Sequence, residues 1–354
     1  MPARPCERPS TSRLAGLDAL RGIAALWVMY YHFLLLSSAD HQIVGKGYVA
    51  VDFFFMLSGY VMARTYEPRL AGGYTVRRFM VARYRRLWPV MAIGTLIGAP
   101  MLALELGNPG PFAVIAVANL LLLPVFMTGG AIFPVNGAAW SIFAELTANL
   151  AHGVWLWRLR NAALAVFAAL LVPALIWICL AFDTLNAGAG ENSFLAGILR
   201  ALFGYSAGIL LWRVWKDKPP VRVPPFLAFA TIPVIALLVR SLSVETWFFD
   251  LGFVLLASPF LIAGGLTYRG NHCLGRWLGA ISFPLYAVHM PLMFWSKGLG
   301  LGPVSGVAAA LALAAYIAMR TNPAAIFPRR GPEMTPAAAE GSLNIERGIT
   351  LRSR

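Results

Sequence analysis

Three ionisable side chains interrupt an otherwise apolar run, LDALRGIAALWVMYYHF, which covers residues 17–33. They are Asp18, Arg21 and His32. Arg21 and His32 would lie on one face of an α-helix, about 16 Å apart along its axis. Asp18 precedes Arg21 by three residues, so the two side chains can form an ion pair. The alternative interpretation is that this pair only stabilises the start of the helix. The spacing predicts a helix with a guanidinium toward one end and an imidazole toward the other.

Two carboxylates lie at a similar depth in their own apolar stretches. Asp52, in VDFFFMLSGY, and Glu145, in WSIFAEL, are each five residues from the predicted outer end of a stretch, and His32 is four from the outer end of its own. We therefore expect the three side chains in one layer, ~6–8 Å below the membrane surface. A carboxylate partner fixes the tautomer of an imidazole and raises its basicity, which is the arrangement of a general base.

A basic stretch, RRFMVARYRRLWP, covers residues 77–89. Arg83 and Arg86 are three residues apart and would share a helix face, where their guanidinium groups suit a phosphate-bearing ligand. The alternative is that the stretch only fixes the orientation of a loop at the membrane. His289, in FPLYAVHMP, is either a second functional histidine or a hydrogen-bond partner of a neighbouring helix. The three cysteines have no metal-ligand spacing, so we expect no metal.

The composition is that of a membrane protein. Of the 354 residues, 59% are hydrophobic and 12% are charged, whereas a soluble domain has roughly 25% charged residues. The net charge of +14 fits basic residues beside membrane spans better than nucleic-acid binding, since no soluble basic domain is predicted. The fold class is therefore an all-α polytopic membrane protein.

Charge asymmetry sets the predicted topology. Seven arginines lie within residues 64–86, so this segment is predicted to be cytoplasmic. The later clusters of basic residues are also cytoplasmic in this topology only if the short segment 112–127 does not cross the membrane. We predict about ten transmembrane helices plus one re-entrant or interfacial segment, with both termini cytoplasmic. The eleven apolar stretches are 17–36, 47–64, 87–106, 112–127, 140–157, 162–182, 194–215, 224–239, 247–266, 277–296 and 302–319.

Three regions follow from this topology. Residues 1–13 are expected to form a cytoplasmic N-terminal tail, and 14–319 the transmembrane domain. Residues 320–354 are polar and rich in Pro, Ala and Gly, so we expect a disordered cytoplasmic tail.

Five segments, in chain order, resemble motifs of the acyltransferase-3 family of integral membrane acyltransferases. The resemblance covers residues 14–319. It includes an Arg-x10-His pattern at Arg21 and His32 and an Arg-x-x-Arg pair at Arg83 and Arg86. The segments are LDALRGIAALWVMYYHF, VDFFFMLSGYVM, RFMVARYRRLWP, AAWSIFAEL and ISFPLYAVHMPL.

The resemblance implies a ten-helix transmembrane acyltransferase domain in the bacterial inner membrane. Its cosubstrate would be cytoplasmic acyl-CoA, usually acetyl-CoA, bound by Arg21, Arg83 and Arg86. The acceptor would be a hydroxyl of a lipid-linked or exported carbohydrate. One departure is the stretch AYIAMRTNPAAIFP (315–328), which lacks a glutamate that many members have there.

The predicted chemistry centres on His32. It would deprotonate the acceptor hydroxyl or carry the acyl group as an acyl-imidazole, and Asp52 or Glu145 would orient it. Tyr286 and His289 form a candidate second site. Two other function classes are a transporter or flippase with an intramembrane charge relay, and a haem protein that uses both histidines.

Overall fold

The computed structural model describes residues 14–37, 45–126, 129–238, 246–270 and 272–321, except the side chains of 246 and 272. The expected tails lie almost wholly outside these ranges. Twelve α-helices make up the described part, and a π-helical turn, Phe253–Ala257, joins α9 to α10. In chain order the α-helices are α1 Ala15–Ser37, α2 Ala50–Ala71, α3 Val76–Leu106, α4 Pro109–Leu120, α5 Ala139–Val154, α6 Asn161–Phe182, α7 Phe194–Trp215, α8 Pro225–Leu238, α9 Thr246–Gly252, α10 Ser258–Thr267, α11 His272–Gly298 and α12 Pro303–Thr321.

Ten of the eleven predicted apolar stretches lie almost wholly on helices, whereas 112–127 is helical only as far as Leu120. Seven helices of the described chain are long and apolar enough to cross a membrane, and α4 and α8 are shorter apolar helices. The count of ten spans and the cytoplasmic placement of both termini remain predictions. The seven long helices are Ala15–Ser37, Val76–Leu106, Asn161–Phe182, Glu191–Trp215, Trp247–Thr267, Cys273–Gly298 and Pro303–Thr321.

The arginine-rich segment is mostly helical rather than a loop. Helix α2 continues to Ala71 and α3 begins at Val76, so only four residues connect them. Gly73, at φ +90°, provides the turn, and the Thr75 side chain caps α3 by accepting from the Arg78 amide. Arginine is a good helix former, which explains the extension. We call this end of the bundle, which carries Arg69, Arg77 and Arg78, the basic end.

The chain between α3 and α5 does not form a full span. The 12 residues of α4 are about 18 Å long, too short for a hydrocarbon core of about 30 Å. The following non-helical chain enters the bundle, where Asn136 is buried and its amide donates to the Ala287 carbonyl over 2.9 Å. Helix α5 therefore begins at the level of Ala287, inside the bundle rather than at its end.

Two parallel helix pairs hold the site together. Helix α1 packs along α11, with Gly22 against Leu278 and His32 against His289. Helix α2 packs along α7, with Asp52 beside Arg200 and Gly208 against Met56. Glycines at such contacts let the backbones approach closely, which is how membrane helices gain packing contacts.

Candidate active site

Arg21 joins α1 to α11 near the basic end. Its Nε donates to Ser282 Oγ over 2.9 Å, and its Nη2 donates to the Gly279 carbonyl over 2.8 Å. The Asp18 carboxylate lies 3.2 Å from Nη2, so the predicted i,i+3 ion pair is present. Arg21 is thus held by both helices, with part of its charge balanced by Asp18.

His32 contacts the same neighbouring helix further from the basic end. His289 Nε2 lies 3.1 Å from His32 Nδ1, and the two rings are 5.0 Å apart at their centroids. His32 Nδ1 is also 3.0 Å from the Val28 carbonyl. The predicted helix face of Arg21 and His32 is therefore the face of α1 that packs on α11.

Tyr286 lies beside this histidine pair. Its hydroxyl is 2.6 Å from Ser141 Oγ of α5, and its ring is 5.8 Å from that of His289. Tyr286 and His289 were expected to form a second site. The structure instead places His289 against His32 and Tyr286 beside His289, so the three side chains form one cluster.

Arg83 and Glu145 form a buried ion pair near the basic end. Arg83 Nη2 lies 2.7 Å from Glu145 Oε1, which also accepts from Ser58 Oγ over 2.6 Å. Arg83 is 4% exposed, and its Nε has no hydrogen-bond partner among the described residues. A buried N–H donor without a partner is costly, so a ligand that accepts from it is favoured.

Arg86 belongs to the same region of positive charge. Its charge interacts with those of Arg83 and Arg21 and with the carboxylate of Glu145. The structure therefore brings together the three arginines that were assigned to donor binding. Guanidinium groups in such a cluster suit phosphate oxygens, because each can donate two parallel hydrogen bonds.

Asp52 has a different partner from the one expected. Both of its carboxylate oxygens pair with Arg200 of α7, at 3.0 Å and 2.6 Å. Arg200 is 1% exposed, also donates to the Ala187 carbonyl, and lies over the Trp140 ring. Such a bidentate pair balances both charges and joins α2 to α7, whereas His32 takes His289 as its ring partner.

The expected single layer of His32, Asp52 and Glu145 is wrong for Glu145. Helix α5 begins inside the bundle and runs toward the basic end. Glu145 is six residues along this helix, so it lies about 9 Å closer to the basic end than the start of α5 does. There it meets Arg83, which is only seven residues from the start of α3. Glu145 is therefore a countercharge of the arginine cluster and does not orient His32.

Sequence reasoning missed three polar partners that complete the site. Ser58 binds Glu145, Ser282 binds Arg21, and Ser141 binds Tyr286. Each serine lies inside a segment already identified by its motif, LSGY, ISFPLY or WSIF. Their roles depend on which helices are neighbours, which a single sequence does not provide. In the described part of the chain, no group of three or more His, Cys, Asp or Glu side chains could hold a metal.

Comparison with known proteins identifies the family. A protein from the picA locus of Rhizobium radiobacter is 35% identical over 157 residues, which are 39% of this chain and 80% of that protein. YrhL of Bacillus subtilis, named as a candidate peptidoglycan O-acetyltransferase, is 23% identical over 80% of this chain and 49% of its own length. BcsY of Komagataeibacter xylinus, named as a candidate membrane-bound transacylase, is 24% identical over 86% of this chain and 82% of its own.

No solved structure matches the chain. The acyltransferase-3 family model, described as an acyltransferase domain, matches residues 14–319, which is most of the chain. This range contains every candidate site residue described above. The chain therefore belongs to the acyltransferase-3 family, and it is a membrane acyltransferase.

Proposed function

We propose that the protein transfers an acyl group, acetyl in the first instance, from cytoplasmic acyl-CoA to a hydroxyl of a cell-envelope or secreted carbohydrate. The proposed location is the bacterial inner membrane. Family membership supports an enzyme over a transporter or flippase. The names of YrhL and BcsY refer to O-acetyl transfer and transacylation, which supports an acetyl donor and a hydroxyl acceptor.

The observation that carries the proposal is the α1–α11 interface. It holds Arg21 at one point and His32 at another, about 16 Å apart along α1. Arg83 and Arg86 lie near Arg21, so an anionic donor bound there could direct its thioester toward His32. By the predicted topology the arginines face the cytoplasm, where acyl-CoA is, and His32 lies nearer the outer surface, where an exported glycan is.

The chemistry balances with no group beyond donor and acceptor. In direct transfer, the oxygen of the acceptor hydroxyl attacks the thioester carbonyl while His32 accepts the hydroxyl proton. The new C–O bond replaces the C–S bond, and the proton passes to the leaving CoA sulfur. In the alternative, the bare ring nitrogen of His32 attacks the thioester carbonyl, so that a C–N bond replaces the C–S bond and CoA leaves as a thiolate. The acceptor hydroxyl then attacks the acyl-imidazole, a C–O bond replaces the C–N bond, and the hydroxyl proton passes to the CoA thiolate. Both routes need an unprotonated nitrogen on His32.

The test is mass spectrometry of cell-surface glycans from three strains. They are a deletion strain, the same strain with the wild-type gene, and the strain with His32→Gln. We expect O-acetyl groups only with the wild-type gene, because glutamine cannot take up a proton and acid–base catalysis contributes at least ~10²-fold. Membrane abundance of the variant is the control.

Three outcomes would contradict the proposal. Identical glycans in the deletion and wild-type strains would exclude carbohydrate acylation. Normal acetylation by His32→Gln would exclude His32 as the base or acyl carrier. Loss of exported glycan, rather than loss of its acetyl groups, would favour the flippase.

A further inference from the structure

The hydrogen-bond partners of His289 show which of its nitrogens carries a proton. His289 Nδ1 lies 2.8 Å from the Tyr286 carbonyl and 3.1 Å from the Leu285 carbonyl. Carbonyl oxygens only accept, so Nδ1 must donate. His289 is 1% exposed, and a buried charge without a countercharge is strongly disfavoured. The ring is therefore neutral, and its Nε2 carries a lone pair.

The same reasoning extends to His32. Its Nδ1 lies 3.1 Å from His289 Nε2, which carries a lone pair, and 3.0 Å from the Val28 carbonyl oxygen. Both partners are acceptors, so His32 Nδ1 must carry the hydrogen. A neutral His32 then has its lone pair on Nε2. The contacts of the His32 and His289 rings therefore indicate the Nδ1–H tautomer for both histidines.

We propose that His289 is a positioning residue that holds His32 in the Nδ1–H tautomer, so that Nε2 is the atom that takes the proton or the acyl group. This inference rests on the proposed function of His32. His289 does the orienting usually done by a carboxylate, but it is uncharged. A neutral partner suits a site within the membrane, where an additional carboxylate would be costly. Asp52 and Glu145 remain available to neutralise arginines.

The tautomer can be measured without any activity assay. Full-length protein with ring-15N-labelled histidine is placed in lipid bilayers for solid-state NMR. The His32 and His289 signals are assigned by their loss in His32→Gln and His289→Gln. We expect a protonated Nδ1 and a bare Nε2 on both rings. In His289→Leu, where Val28 alone remains as an acceptor, the second His32 tautomer should become detectable.

Two results would overturn the inference. A proton on His32 Nε2 in the wild-type protein would contradict the assigned tautomer. An unchanged His32 tautomer in His289→Leu would show that the Val28 carbonyl alone sets it.

A pair of variants tests the consequence for catalysis. The side-chain oxygen of His289→Gln can still accept from His32 Nδ1, whereas His289→Leu fills the apolar space without an acceptor. We expect the leucine variant to lose about 10–100-fold in glycan acetylation, as is typical when the orienting partner of a functional histidine is removed. The glutamine variant should keep most of the activity at equal membrane abundance.

A purely structural role would give the opposite order, because leucine packs better than glutamine in a buried site. Equal activity of the two variants would also contradict the proposal. If the deletion strain has normal glycans, the proposed function fails, while the NMR measurement still decides the tautomer.

Discussion

At the scale of single residues, the site is organised by which partner each charge takes. Arg83 pairs with Glu145 and Arg200 with Asp52, across 62 and 148 residues of sequence. Arg21 and His32 could be placed on one helix face from their spacing alone, and the structure confirms that placement. The partners of the two carboxylates could not be predicted, because they depend on which helices are neighbours.

The Arg83–Glu145 pair allows structure and ligand binding to be separated. Arg83→Gln leaves a mostly buried carboxylate without its cation, which costs about 3–5 kcal/mol. We expect a lower unfolding midpoint in detergent and weaker acetyl-CoA binding by calorimetry. The double variant Arg83→Gln/Glu145→Gln removes both charges. It should regain most of the stability while binding stays weak.

This control isolates the role of the guanidinium. If the double variant binds acetyl-CoA as well as the wild-type protein, Arg83 serves only as a structural countercharge. Conversely, full stability of the single variant would mean that Glu145 is protonated or hydrated in the folded protein.

At the scale of helices, the sequence predicts where most helices lie but not the residues at which they begin and end. Ten of the eleven predicted stretches are helical almost throughout, because long apolar runs in lipid must satisfy their backbone hydrogen bonds internally. The eleventh, 112–127, is helical only to Leu120. The helical continuation through the arginine-rich segment follows from good helix propensity. The start of α5 inside the bundle has a tertiary cause, the hydrogen bond from Asn136 to Ala287. Because the sequence does not show this contact, the predicted depth of Glu145 was wrong.

The close contact between α2 and α7 predicts that Gly208 cannot be replaced by alanine without a loss of stability. A Cβ added at Gly208 would lie 2.0 Å from the Met56 carbonyl oxygen and 2.7 Å from the Tyr60 amide nitrogen. Gly208→Ala must therefore push two helix backbones apart, and we expect a loss of about 1–3 kcal/mol. Gly252, at the end of α9, has nothing within 4 Å of such a Cβ. Gly252→Ala is the matched control and should be neutral or slightly stabilising.

Unfolding midpoints of the two purified variants, measured in the same detergent, check this prediction. Equal stability of Gly208→Ala and Gly252→Ala would mean that α2 and α7 are not in backbone contact. A selective loss in Gly208→Ala should also reduce activity, because α2 supplies Ser58 to the arginine cluster.

At the scale of the whole molecule, the two ends of the α2–α3 pair should face opposite sides of the membrane. Ala71 lies at the basic end and Glu105 near the other end of α3, and both are exposed. In intact spheroplasts, a membrane-impermeant thiol reagent should label Glu105→Cys. Ala71→Cys should react only after permeabilisation, because the arginines around it favour the cytoplasm.

The parent protein, which keeps its own cysteines, gives the background for this experiment. Labelling of both added cysteines from the same side would refute the predicted topology. Labelling of Ala71→Cys in intact spheroplasts would also place the arginine cluster outside the compartment that supplies acyl-CoA.

The ion pair of Asp52 and Arg200 also affects how the protein is made. The two residues are 148 positions apart, so at a synthesis rate of about 5–20 residues per second Asp52 is made roughly 7–30 seconds before Arg200. An unpaired aspartate costs up to about 2.5–3.5 kcal/mol at the centre of a membrane span. The nascent chain bears this penalty until α7 is inserted beside α2. The nascent chain is therefore a biosynthetic intermediate with an unpaired aspartate until the ribosome has translated α7, Phe194–Trp215.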